Sequence, residues 1–73
     1  MEMHPVQSSN IQSVGFDPEQ KVMRIQFIGG GLYEYSGPTV EKTYNDLLAA
    51  ESKGKHFTQH IRHDPNLKVT RIS

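Results

Sequence analysis

The sequence predicts a small α+β domain: an antiparallel β-meander of three to four strands, packed on one face by two short helices, in the order β-β-β-α-α-β. Three observations predict it. Apolar and polar residues alternate along residues 14–36, and turn-forming Asp, Pro and Gly clusters divide that stretch into short runs. Beyond Pro38 the apolar spacing changes from two to three and four, the spacing of a helix. Residues 1–8 are expected to form a flexible arm, and residues 9–73 a single domain.

Each element has its own warrant. Val14 and Phe16 share one face of the first strand. Asp17-Pro18-Glu19-Gln20 reads as a turn, with Pro at the second position, where its fixed φ suits the geometry. Met23, Ile25 and Phe27 then alternate with Arg24 and Gln26, which gives one buried and one wet face. Gly29-Gly30-Gly31 supplies the positive φ of a tight hairpin, and Leu32-Tyr33-Glu34-Tyr35-Ser36 returns as the third strand. A three-residue loop sets Ile28 opposite Leu32, Phe27 opposite Tyr33 and Ile25 opposite Tyr35. Both tyrosine rings then join the aliphatic face, while Gln26 and Glu34 share the other. Gly37-Pro38 stops the strand and opens a helix, with Pro at the first helical position. Val40, Tyr44, Leu47 and Leu48 fall at i, i+4, i+7 and i+8, an apolar stripe that can cover the sheet. A shorter helix follows from about Lys55 to His63, capped by Ser52 and turning Phe57 and Ile61 inward. Asp64-Pro65-Asn66 breaks the chain, and Leu67 to Ile72 forms a last short strand.

Composition narrows the function. Seventy-three residues without Cys bury only about 60–65% of their unfolded surface and have no disulfide to compensate, so a homo-oligomer is expected. The absence of Cys fits a reducing compartment. No apolar run approaches the ~20 residues of a membrane span, and Met1-Glu2-Met3-His4-Pro5 lacks the basic start and apolar stretch of a secretion signal. The expected location is the cytoplasm, with no membrane partner. The formal net charge of zero hides a split. Residues 1–52 hold seven acids against three bases, a balance of −4, and residues 53–73 hold five bases against Asp64 alone, a balance of +4. A local basic surface on a neutral protein points to an anionic ligand rather than to general adhesion to polyanions.

The candidate site centres on that charge reversal. Ser52 and Gly54 precede a helix whose first amides can meet an anion, and Lys53 and Lys55 add mobile charge beside them, with Arg62 nearby. The spacing is not that of a P-loop. Tyr33 and Tyr35 are candidates to stack on a base, although the hairpin register also places their rings toward the core. His56 and His60 lie one helical turn apart and are further base-contact candidates, with His63 near the same face. Phe57 follows His56, so the segment is not HExxH, and no metal or cofactor is assigned. Arg24 lies on the polar sheet face. No Cys nucleophile, spaced carboxylate pair or Gly-flanked Ser elbow is present, which argues against an enzyme.

Ser8-Ser9-Asn10-Ile11, Gly15-Phe16-Asp17-Pro18, Tyr33-Glu34-Tyr35, and Ser52-Lys53-Gly54-Lys55-His56-Phe57 with His60-Ile61 resemble the KTSC domain, over about residues 6–72. The domain takes its name from the C-terminal extension of some lysyl-tRNA synthetases, and it also occurs alone in small bacterial and phage-type proteins. His56 stands where the family commonly carries an aromatic residue. The resemblance implies a small α+β fold without catalysis, and its synthetase context suggests RNA binding. The expected function is a non-catalytic module for a phosphate-bearing ligand, either RNA or a small nucleotide, which as an oligomer could sequester a nucleotide signal. The alternative is a protein-interaction or assembly module without nucleotide affinity, built on a free strand edge.

Overall fold

The chain forms five strands, not three or four. A computed structural model describes residues 1–73. The elements are β1 (His4–Pro5), β2 (Ile11–Asp17), β3 (Val22–Phe27), β4 (Leu32–Ser36), α1 (Val40–Ala49), α2 (Lys53–His56), a wide helical turn over Phe57–Ile61, and β5 (Lys68–Arg71). The strands form one open antiparallel sheet in sequence order, β1-β2-β3-β4-β5, and the helices cover one face of it. The additional strand comes from the segment expected as an arm: His4 pairs with Val14 and Pro5 with Ser13. Two paired residues leave no readable alternation, and a Pro marks an edge position that a propensity argument discounts.

The junctions have local causes. Asp17 Oδ1 accepts the amides of Glu19 at 2.9 Å and Gln20 at 3.2 Å, and Lys21 closes the turn at φ 55. In β2 the pairing slips between Ile11, opposite Phe27, and Ser13, opposite Gln26. This bulge lets Ile11 and Val14, an odd number of residues apart, both point into the core, where each is fully buried.

The β3–β4 register differs from the expected one by two residues. Gln26 faces Leu32, Ile25 faces Tyr33 and Met23 faces Tyr35. The three-residue loop slides back by one, to Ile28–Gly30, closed by the Phe27 N–H on the Gly31 carbonyl at 3.2 Å, with Gly29 at φ 67. A shift of two preserves faces. The tyrosines therefore stay on the core side, and Phe27 meets Tyr33 edge-on at 5.7 Å. On the opposite face Arg24 Nε donates to Glu34 Oε1 at 2.9 Å.

Helix α1 begins at Val40, two residues after Pro38, so Pro38 lies in the preceding turn and not at the first helical position. Gly37 is at φ 152, and a Cβ there would collide with the Asn66 carbonyl, so both conformation and space require glycine. Val40 and Leu47 are fully buried, Tyr44 stacks on Phe16 at 5.3 Å, and Leu48 is exposed. The stripe is narrower than predicted because Leu48 lies one residue, about 100°, around the helix from Leu47. The second helix starts at Lys53, earlier than expected, with Ser52 as its cap. It then widens: the Arg62 N–H bonds the Phe57 carbonyl five residues back at 2.9 Å. Phe57 and Ile61 point inward, as the sequence predicts.

The core comprises Ile11, Val14, Met23, Ile25, Tyr35, Val40, Leu47, Phe57 and Ile61. The folded surface is 4776 Å² for an 8.3 kDa chain, so about 60% of the extended-chain surface is buried. No helix is long and apolar enough to cross a membrane.

Candidate functional site

The predicted anion cradle at Ser52–Lys55 is partly occupied by the protein itself. Ser52 Oγ accepts the Lys55 amide at 3.4 Å, and the Ser52 carbonyl accepts the His56 amide at 2.9 Å. Lys53 Nζ reaches back to the Ala50 carbonyl at 3.2 Å. Gly54 is buried against the side chains of Asn10 and Ser8, and a Cβ there would overlap Asn10 Oδ1. That loop is itself braced: the Ser8 hydroxyl donates to Asn10 Oδ1 at 3.0 Å and accepts the Ile11 amide at 3.2 Å. Two motifs far apart in the chain, Ser8–Ile11 and Ser52–Phe57, therefore meet face to face. Gly54 allows that close approach and does not open a cradle to solvent.

The other candidates separate into two clefts. His56 and His60 lie side by side, ring centroids 4.7 Å apart, in a polar cleft with Thr39, Lys42, Thr43, Asp46, Asp64 and Asn66. Burial holds the His56 imidazole below its usual pKa, its neighbour His60 lowers it further, and Asp46 opposes them. No group of three or more His, Cys, Asp or Glu side chains is placed to hold a metal ion.

Tyr33, Tyr35 and Arg62 line a different cleft, of about 400 Å³, together with Phe27, Phe57, Val69 and the Gly30–Gly31 backbone. It exists because the helices leave the β4–β5 end of the sheet uncovered: every residue of β5 is exposed, Val69 by 54%. Its wall is a set of edge-to-face aromatics, with Phe57 at 5.1 Å from Phe27 and 6.1 Å from Tyr35. Tyr35 is a core residue, 6% exposed, with its phenol pushed up to about 12 by burial and then by Tyr33. Tyr33 is only half-buried, and the Arg71 guanidinium sits 5.7 Å from its ring centroid.

Sequence reasoning missed Phe27, Phe57, Val69 and Arg71 as site residues. Phe27 and Phe57 looked like core by periodicity, and they are core on one side and cleft on the other. For Arg71 the available signal was its place on a last, edge strand. The charges divide with the sequence. Lys21, Arg24 and Lys42 each make an ion pair, with Glu41, Glu34 and Asp46. Lys53, Lys55, Arg62, Lys68 and Arg71 make none.

This arrangement has known relatives. The KTSC domain family model matches residues 7–64. A protein of Stutzerimonas stutzeri (strain A1501) is 43% identical over 54 residues, covering 74% of this chain and 75% of its own. One from Tsukamurella paurometabola is 43% identical over 53 residues, covering 73% of this chain and 78% of its own. The crystal structure of a KTSC domain protein from Yersinia pestis superposes with a TM-score of 0.87 at 34% identity, over 99% of this chain and 97% of that one. With its sheet, its helices and its separated motifs all accounted for, the chain belongs to the KTSC domain family.

Proposed function

We propose that this chain is a non-catalytic, cytoplasmic binding module for a nucleotide or short RNA, with the base in the aromatic cleft and phosphate on its basic rim. One observation carries the reading. Every cation of residues 1–52 is in an ion pair and every cation of residues 53–73 is free of one, and two of the free ones, Arg62 and Arg71, flank exposed aromatic surface. Base–aromatic stacking contributes about 1–3 kcal/mol per base, and a guanidinium binds phosphate bidentately. The ligand end thus moves from the capped turn at Ser52–Lys55 to Tyr33, Phe57, Arg62 and Arg71, with Lys55 and Lys68 adding to the field. A cleft for one base on a neutral protein favours a small nucleotide over long nucleic acid, which usually demands a larger positive excess.

The test is NMR titration with mono-, di- and cyclic nucleotides and with short single-stranded RNA across a salt series. Shifts at Tyr33, Phe57, Arg62, Val69 and Arg71 are expected. Silence at those residues with every ligand overturns the reading, and shifts confined to Ser52–Lys55 restore the capped turn as the site.

A further inference from the structure

The two edges of the sheet differ in kind. β1 is two residues long and contains Pro5, which cannot donate a ladder bond. β5 is four residues long, has no Pro, and with Ile72 exposes two of the five large apolar side chains found at the surface, Val69 and Ile72. We infer that β5 pairs antiparallel with β5 of a second copy about a twofold axis through Thr70, and that each cleft thereby receives the partner's Arg71.

The register follows from hydrogen-bond alternation. Toward β4, the Ile72 N–H bonds the Leu32 carbonyl at 2.7 Å, and Thr70 and Lys68 stand opposite Glu34 and Ser36. Antiparallel alternation then turns the N–H and C=O of Val69 and Arg71 away from the sheet. A second β5 can use these groups only in registers that pair odd residues with odd. Val69 opposite Val69 leaves Arg71 facing past the strand end. Arg71 opposite Arg71 sets like charges against each other, which is unfavourable. Val69 opposite Arg71 uses all four outward groups of each copy, sets Thr70 against Thr70 on the axis, and opposes Lys68 with Ile72, so no like charges face. Val69 lines the cleft and Arg71 lies on the same face, above Tyr33. The partner's Arg71 therefore stands at the mouth of the cleft, on the side away from Tyr33. Four cations near one axis repel, so salt or a bound anion strengthens this dimer. The dimer forms whether or not the cleft takes a nucleotide.

The chain has no Cys, so single thiols report the register cleanly. In a non-hydrogen-bonded antiparallel pair the Cα atoms are about 4.5 Å apart, within disulfide range. Under mild oxidation without nucleotide, Thr70→Cys is expected to give a crosslinked dimer and Lys68→Cys is not, because Lys68 lies opposite Ile72. By sedimentation the wild-type chain is expected to approach twice its 8.3 kDa mass with concentration, more readily as salt rises. Thr70→Lys, an exposed change that sets two ammonium groups on the axis, is expected to abolish that. Crosslinking of Lys68→Cys as fast as Thr70→Cys, a Thr70→Lys protein that still dimerises, a wild type monomeric at millimolar concentration, or a dimer that dissolves as salt rises overturns the proposal.

Discussion

Replacing Gly54 by Ala separates the two roles that glycine could play. Inside a helix Ala is favoured over Gly by about 1 kcal/mol. If Gly54 served only to open amides to a ligand, Gly54→Ala would leave stability unchanged or raise it. The structure predicts the opposite sign. The new Cβ would overlap Asn10 Oδ1 and lie 3.2 Å from Ser8 Oγ, tighter than ordinary contact. Asn10 cannot swing away without losing the Ser8 hydroxyl that donates to it at 3.0 Å, and that hydroxyl also holds the Ile11 amide. Overpacking costs about 1–3 kcal/mol and the lost bond about 1, against the helical gain of about 1. The net is a destabilisation of about 1–3 kcal/mol, or about 4–24 °C in Tm for a domain of this size. Thermal unfolding by circular dichroism reads it. In the double variant Asn10→Ala with Gly54→Ala, the methyl finds the vacated space, so the pair is expected to be less destabilised than the two singles added, by about 1 kcal/mol. A Gly54→Ala protein as stable as wild type, or strict additivity in the cycle, refutes the packing role.

Other outcomes follow from the same geometry. Tyr35 has a folded pKa of about 12 against 10.0 unfolded, so its contribution is complete below pH 10, is lost as pH rises toward 12, and amounts to no more than about 3 kcal/mol; Tyr35→Phe should show a shallower fall in Tm across that window. His56 is shifted the other way, below 6.5, so it favours folding above that pH and weakens it as pH falls through the folded value. The acid limb of Tm against pH should flatten in His56→Gln. Arg62→Ala and Arg71→Ala should each weaken nucleotide binding at low salt and reduce the slope of log affinity against log salt by about 1, whereas Lys21→Ala, whose ammonium pairs with Glu41, should leave that slope unchanged.

Legibility in the sequence tracked how local each determinant is. The β3 and β4 faces, the Ser52 cap and the inward Phe57 and Ile61 are set by alternation and by neighbours within one turn, and the pattern revealed them. The hairpin register was missed by two because a three-residue loop fits at 28–30 as well as at 29–31, and either puts the same side chains in the core. β1 was missed because its pairing with β2 depends on the chain turning back through Gln7–Asn10, which periodicity does not report. The site was half legible. Tyr33, Tyr35 and Arg62 were named, yet the cleft that unites them depends on where the helices stop covering the sheet, a tertiary fact. The amides of Ser52–Lys55 looked available because the Ser8–Asn10 loop that packs on Gly54 lies more than forty residues away in the chain.

The charge split then has a structural meaning that net charge conceals. A neutral chain could set its basic C-terminal part against its acidic N-terminal part, and here it does not: all three ion pairs lie within residues 1–52. Exposed pairs contribute only about 0–1 kcal/mol each, so folding alone does not require the remaining cations to be matched. Left unmatched, Arg62, Lys68 and Arg71 cluster about the one end of the sheet where aromatic rings are not sealed by a helix and where a strand edge is open. An anion held there would relieve the repulsion between two β5 strands across a twofold axis. Ligand and partner then favour each other by linkage, so the apparent nucleotide affinity should rise with protein concentration in wild type and be independent of it in Thr70→Lys. Concentration-independent affinity in a wild type that does dimerise would uncouple the cleft from the edge.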